Sequence, residues 1–161
     1  MKKIRRLIFL LLVLFILDRL AKYLAILKLP EEGVFVLPFF QLKLFLNPRL
    51  ALSLPLNNVV VMAVAAIILT VIVYYLIRAA QSPKIFLALG LIFDGAFSNL
   101  LDRLRFGGVV DFFNLAYLPA FNLADSYILI GTLLLFFTLK KRHSLTLKTE
   151  TAVDLRQVDS K

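Results

Sequence analysis

Apolar residues in this chain fall into long runs separated by short polar breaks. Crossing the ~30 Å hydrocarbon core of a bilayer takes roughly 20 apolar residues in helical form. Four stretches meet that need or come near it, at about 7–27, 59–77, 85–101 and 123–139, and the second carries no charge at all. A different pattern lies between the first two. Residues 34–37 and 39–46 form short apolar blocks, alternating with Gln41 and Lys43 and punctuated by Pro30, Pro38, Pro48 and Pro55. That spacing predicts short strands. The whole pattern predicts an all-α membrane protein, a four-transmembrane-helix bundle with a small β-like platform on its extracytoplasmic side. Residues 1–143 would form the integral-membrane domain, with outer loops at 28–58 and 102–122. Residues 144–161 are polar, lack a strong period and read as a flexible tail.

Composition narrows the class. Of 161 residues, 61% are hydrophobic and 18% charged, with a mean hydropathy of +0.89. Soluble chains are nearer ~45–50% apolar, and a fold of this size could not cover so much apolar surface in water. A soluble enzyme and a nucleic-acid module are both disfavoured. The net charge of +9 would otherwise hint at nucleic acid, but basic residues also collect in the cytoplasmic flanks of membrane proteins. There is no cysteine, which excludes disulfides, thiolate metal sites and a thiol nucleophile. A lone histidine, His143, cannot build a metal site.

The flanks orient the spans. Lys2, Lys3, Arg5 and Arg6 precede the first, Arg78 and Lys84 bracket the turn between the second and third, and Lys140, Lys141 and Arg142 follow the fourth. The positive-inside rule places both termini in the cytoplasm. Arg103 and Arg105 depart from it on the outer side. The stretch 7–17 also has the length of a signal-peptide core. The apolar pattern continues past Asp18, however, and removal would leave an odd number of spans.

Of the ten acids, Asp18, Asp94, Asp102, Asp111 and Asp125 lie in or beside the apolar segments. Ionisable groups there are costly and are functional candidates by default. In the orientation above, Asp18, Lys22, Asn47, Asp102, Arg103, Asp111 and Asp125 gather at one depth near the outer interface. Asp18 and Lys22, four apart, can pair on one helix face, and Asn99, Asp102 and Arg103 share another. Such pairs serve equally to join helices, and an interfacial Arg103 could bind a phosphate or a substrate carbonyl. Asp111 and Asp125 have no basic residue within four positions. Two like charges a few Å apart cannot both ionise, so facing carboxyls would share a proton. With a water between them, such a pair can hydrolyse an amide. The bland reading is a loop acid and an acid in the first turn of a helix.

Asn99-Leu-Leu-Asp102-Arg103, Gly107-Gly-Val-Val-Asp111-Phe112 and Phe121-Asn122-Leu-Ala124-Asp125-Ser126 closely resemble motifs of the lipoprotein signal peptidases, the signal peptidase II family. Asp18-Arg-Leu-Ala-Lys22 is similar to that family's first motif, and Asn47-Pro-Arg-Leu-Ala51-Leu-Ser53 to its Asn-x-Gly-x-Ala-Phe-Ser stretch. The resemblance implies an aspartic endopeptidase with Asp111 and Asp125 catalytic. Asn99, Asp102, Arg103, Asn122 and Ala124 would line or brace the site, with Asp18, Lys22 and Asn47 nearby. It also implies the substrate, a bacterial prolipoprotein cut before its diacylglyceryl-modified Cys, without metal or cofactor. The expected setting is the bacterial cytoplasmic (inner) membrane, with the site near its outer face. Lipidated prolipoproteins and membrane lipids are the implied partners of a monomeric protein, with no role for nucleic acid.

Four positions depart from the family's pattern. Arg49 stands where Gly is usual, Leu52 where Phe is, Asp94 where a Gly commonly precedes Gly95, and Arg19 where Gln is frequent. Depth counting along the helices puts Arg19 and Asp94 at depths that differ by roughly 5 Å, within reach of an Arg side chain, which predicts an Arg19–Asp94 pair inside the bundle. Three other readings compete with an active peptidase. A transporter should string its polar groups along a path, an adaptor gives no reason for Asp111 and Asp125, and an inactive relative would owe its loss to Arg49 and Leu52.

Overall fold

The computed structural model describes residues 2–48, 58–79 and 82–158, with backbone alone at 58 and 143–158. Arg49, Ala51, Leu52, Ser53 and Pro55 lie outside the described residues. The order of elements is α1 (Lys2–Lys28), β1 (Val34–Leu37), β2 (Phe40–Asn47), α2 (Asn58–Arg78), α3 (Pro83–Phe106), β3 (Val109–Leu115) and α4 (Leu123–Val158). Three helical stretches, 59–78, 83–106 and 123–142, are long and apolar enough to cross a membrane.

The helices turn their apolar surface outward. On α1 the buried residues are Leu11, Asp18, Lys22 and Ala25. Their spacings of seven, four and three put them on one face. Ile8, Phe9, Leu12, Ile16, Leu20 and Tyr23 are exposed on the others. A soluble helix would reverse this arrangement. A membrane-embedded protein has no reason to hide its leucines and every reason to hide its charges.

α3 is the central helix, touching α1, α2, α4 and β3. Pro83 stands in its first turn, where a missing N–H costs nothing. Gly107 ends it with φ at +73° and a backbone N–H donated to the Arg103 carbonyl, a left-handed stop that favours glycine. On the α4 side small residues let the two backbones close. A Cβ on Gly95 would collide with the Ala124 carbonyl, and one on Gly131 would lie 2.7 Å from the Ala88 carbonyl.

The platform is a three-stranded antiparallel sheet in the order β1-β2-β3. The first two strands fall where the alternation predicts them. The third corrects the reading of 102–122 as loop: α3 runs on past residue 101 to Phe106, and Val109–Leu115 then pairs with β2. Phe113 packs on Phe40, Phe112 and Phe121, so cross-strand aromatic contacts hold β3 in place. The backbone of 144–158 continues α4. Leu occurs three times there and Lys, Glu, Ala, Arg and Gln once each, and these favour helix even without an apolar stripe.

Replacing Gly95 with Val should force α3 and α4 apart. Overpacking of this kind costs about 1–3 kcal/mol. Thermal unfolding in detergent should show a clear drop in midpoint, whereas the exposed Leu104→Ala change should leave it nearly unmoved.

Candidate active site

Charge burial sets the first layer of the site. Asp18 and Lys22 on α1 and Asp102 on α3 are almost wholly excluded from solvent. Lys22 Nζ lies 2.7 Å from Asp102 Oδ2 and 3.2 Å from Asp18 Oδ2. It also donates to Asn99 Oδ1 at 2.8 Å and Ser98 Oγ at 3.3 Å. The Ser98 hydroxyl donates to Asp18 Oδ2 at 2.5 Å. Buried ions are tolerated only when paired and fully hydrogen-bonded, and this cluster meets that condition. Asp18 Oδ1 takes the backbone N–H of Ala124 at 2.9 Å, at the positive end of α4. α1 is thereby tied to both α3 and α4. Ala124 is fully buried, and its backbone carbonyl lies against Gly95.

Arg19 does not pair with Asp94. Its Nη1 reaches Asp102 Oδ1 at 2.5 Å, Ser98 Oγ at 3.1 Å and the Ser98 carbonyl at 3.2 Å. Asp18 is level with Ser98 and Lys22 with Asp102, so each α1 residue faces the α3 residue 80 positions on. Asp94 is then level with Leu14, five residues or about 7 Å deeper than Arg19. Counting from the apolar boundaries misjudged this, because α1 and α3 extend unequally past them. Asp94 Oδ2 is buried with no hydrogen-bond partner among the described residues.

The second layer comes from the sheet. In β2–β3 pairing, Phe40, Gln41 and Leu42 face Leu115, Asn114 and Phe113, but Phe45 faces Asp111 and Asn47 faces Val109. The step from 42 to 45 against 113 to 111 is a one-residue bulge in β2. A bulge exchanges the faces of every residue beyond it. Without it Leu46 would share Asp111's face; with it Asn47 does. Asn47 Nδ2 donates to Asp111 Oδ2 at 3.1 Å. β3 is anchored in turn by the Val110 N–H, which donates to Asp102 Oδ2 at 3.3 Å.

After β3 the chain turns through Tyr117, whose φ is +72°, and returns. Phe121 pairs with Phe113 across an isolated bridge. This sets Asn122 beside β3 as α4 begins. Asn122 Oδ1 accepts the Asp125 N–H at 3.0 Å, while the Asn122 N–H donates to Asp125 Oδ2 at 3.1 Å. This is a reciprocal capping box. The Asn122 Nδ2 donates to Asp111 Oδ1 at 2.7 Å and to Asn99 Oδ1 at 3.2 Å. Asn99 Nδ2 donates to Asp125 Oδ1 at 2.8 Å. Asn99 turns its amine to Asp125 because its oxygen is claimed by Lys22 and Asn122. Each oxygen of Asp111 and Asp125 thus receives one amide hydrogen, and Asn122 links both acids.

Burial pushes the Asp111 carboxyl up from 3.8 to about 6. Nearby Asp125 raises it further, against the lowering effects of Asn47, Asn122 and Lys22. Arg103 lies within Coulomb reach of Asp125, Asp111 and Asp102. It donates to the Asn99 carbonyl at 3.3 Å, and its Nε is buried with no partner among the described residues. Asp18, Lys22, Asn47, Asn99, Asp102, Arg103, Asp111, Asn122, Ala124 and Asp125 therefore meet in one connected cluster. Ser98 was not singled out in the sequence. Its place one turn before Asp102 on the polar face of α3 was the available signal.

The profile for signal peptidase (SPase) II matches residues 10–141. The chain belongs to the signal peptidase II family. Its members are aspartic peptidases. The lipoprotein signal peptidase of Moorella thermoacetica is 39% identical, covering 81% of this chain and 91% of its own. That of Halothermothrix orenii is 33% identical, covering 80% and 90%. A bacterial membrane enzyme solved by the in meso method at 2.3 Å superposes with a TM-score of 0.81 at 30% identity, covering 88% of this chain and 91% of that one. A second, at 1.9 Å, gives 0.76 at 29% identity, covering 84% and 93%. The family places the acid–amide cluster in a membrane-embedded peptidase.

Removing Lys22 should expose how the cluster is balanced. Lys22→Met leaves Asp18 and Asp102 undercompensated, and breaking a buried pair in this way costs about 3–5 kcal/mol. Lys22→Met with Asp18→Asn should be more stable than Lys22→Met alone. Unfolding in detergent checks this, and equal or additive losses would contradict it.

Proposed function

We propose that this chain is a lipoprotein signal peptidase whose Asp111 and Asp125 form the catalytic dyad. The substrate is a bacterial prolipoprotein carrying a diacylglyceryl-modified Cys, and the bond cut is the peptide bond before that Cys. The observation that carries the reading is Asn122. One residue caps α4, bonds Asp125 through its backbone and Asp111 through its side chain, and so holds two acids from separate elements together.

The mechanism follows from two carboxyls sharing one proton. The ionised carboxylate takes a proton from a water, whose oxygen attacks the scissile carbonyl carbon. The protonated partner donates its hydrogen bond to the carbonyl oxygen as negative charge develops there. The tetrahedral intermediate collapses with cleavage of the C–N bond, and the proton gathered by the base goes to the departing amine of Cys. The pair titrates as a unit, so the two roles are not divided between individual acids. The amides of Asn47, Asn99 and Asn122 hold the carboxyls in place. Arg103 is suited to the substrate backbone or the developing oxyanion. No cofactor enters this sequence of steps.

In this reading α1 also crosses the membrane, giving four spans. Its charges Asp18 and Lys22 are buried and paired, so they do not bar insertion. The basic residues of 2–6, Arg78, Lys84 and 140–142 mark the cytoplasmic side of an inner membrane. The cluster then lies at the opposite, outer face. The sheet, with exposed Val34, Phe35, Val36 and Leu37, rests at the outer interface beside the incoming lipidated Cys. Among the described residues the polar groups gather at one end of the bundle, with Asp94, whose Oδ2 is buried, as the acid that lies deeper, which speaks against transport.

Asp111→Asn and Asp125→Asn should each lower cleavage of a lipidated precursor by at least about 10²–10⁴-fold. Near-normal cleavage by either would end the dyad reading. The raised Asp111 carboxyl gives the expected pH dependence. The dyad keeps its one proton until the pH passes about 6. A profile of kcat/KM should therefore lose activity on an alkaline limb at or above about 6, not near 4.

A further inference from the structure

Arg19 takes no part in the steps above, yet it is the second cation of the buried cluster. Its side chain is 26% exposed while Asp102, which it binds, is at 0%. Its Nη1 occupies Asp102 Oδ1 at 2.5 Å and Ser98 at 3.1 and 3.2 Å. The other Asp102 oxygen is left for Lys22 at 2.7 Å and for the β3 backbone at Val110. An ammonium group has three hydrogens to give. Those of Lys22 meet Asp102, Asn99 and the Asp18–Ser98 pair. The bond to Asn99, together with that from Asn122, turns the Asn99 amine toward Asp125.

The charge balance depends on Arg19. Asp18 and Asp102 carry two negative charges, and Lys22 and Arg19 two positive ones, so the brace behind the dyad is neutral; Arg103, within Coulomb reach of Asp125, Asp111 and Asp102, offsets the single charge of the half-protonated dyad. Without Arg19 the brace would hold one uncompensated negative charge, and Lys22 would be drawn to the two carboxylates and away from Asn99. Among the described residues, the charged groups acting on Asp111 and Asp125 are Asp18 and Lys22 from α1 and Arg103 from α3, with Asp102 behind Arg103. Tyr127 on α4 faces Asp18 and Asp94 at a deeper level.

We propose that Arg19 is a positioning residue for proteolysis: by neutralising Asp102 it frees Lys22 to hold Asn99, and so sets the orientation and protonation of the Asp111/Asp125 dyad. This rests on the dyad reading. Glutamine at position 19 could bond Asp102 but could not neutralise it, so the charge itself is the feature under test.

The test compares the full chain with Arg19→Lys, Arg19→Gln and the double variant Arg19→Gln/Asp102→Asn. The pH profile of kcat on a lipidated precursor is measured, together with NMR titration of ¹³C-labelled Asp carboxyls. Loss of a nearby positive charge favours protonated carboxyls. Arg19→Gln should therefore move both limbs, and the dyad's carboxyl titration, upward by about half a pH unit or more. kcat should fall more than KM changes. Arg19→Lys, which keeps the charge, should leave the limbs near their original places, and the double variant, neutral again, should return them there. If Arg19→Gln lowers activity with limbs and carboxyl titration unmoved, Arg19 is only structural and the inference is overturned. If Arg19→Gln does not fold, the double variant against Arg19→Lys decides it: matching titrations support charge neutrality, and a displaced one overturns it. Failure of the unaltered chain to cleave would instead sink the peptidase reading, and the carboxyl titration would still decide the role of Arg19.

Discussion

The arrangement of this protein depends on one buried ammonium group. Lys22 is 1% exposed, on a helix whose outer surface is hydrocarbon. A charge in such a place persists only if acceptors surround it. Asp18, Asp102, Asn99 and Ser98 do so. Meeting that demand fixes α1 against α3 in register and depth. It also leaves little freedom to the groups around it. Asp18 reaches the first turn of α4, Asp102 reaches the backbone of β3, and Asn99 reaches Asp125. The elements bearing the two acids are held to the same ion.

The Asp111/Asp125 pair is assembled by ordinary local devices used in an unusual place. A helix cap, normally worth about 1 kcal/mol, here also orients a candidate catalytic acid. A β-bulge, normally a device for twist, here selects Asn47 over Leu46 to face Asp111. Both are backbone features, so the geometry of the acids is set by the chain path and not by long flexible side chains. The three asparagines suit this role because an amide can donate to a carboxylate without adding charge. A lysine in their place would favour full ionisation of the pair.

The membrane explains why such a polar centre can exist in so apolar a chain. The exposed leucines, isoleucines and phenylalanines of α1, α2 and α4 leave the bundle interior to small residues and polar groups. Gly95 and Ala124 let α3 and α4 approach closely enough for the start of α4 to meet Asp18. Packing and electrostatics thus converge at one end of the bundle.

Long apolar runs, basic flanks and acids at one depth were determined by the sequence itself, because lipid imposes length and polarity rules that act residue by residue. The Asp18–Lys22 pair was legible for the same reason: it depends on helical spacing alone. The identity of Asp111 and Asp125 as the acids lacking local cations was also there to read. The partner of Arg19 was not, since it depends on how far two separate helices slide past each other. Nor was β3, whose partner strand lies some sixty residues earlier and whose short apolar run fits loop or strand equally. The bulge, the dual role of Asn122 and the bridging place of Ser98 were decided only in the folded chain. Each requires groups distant in sequence to compete for the same few hydrogen bonds, and only tertiary packing settles which of them win.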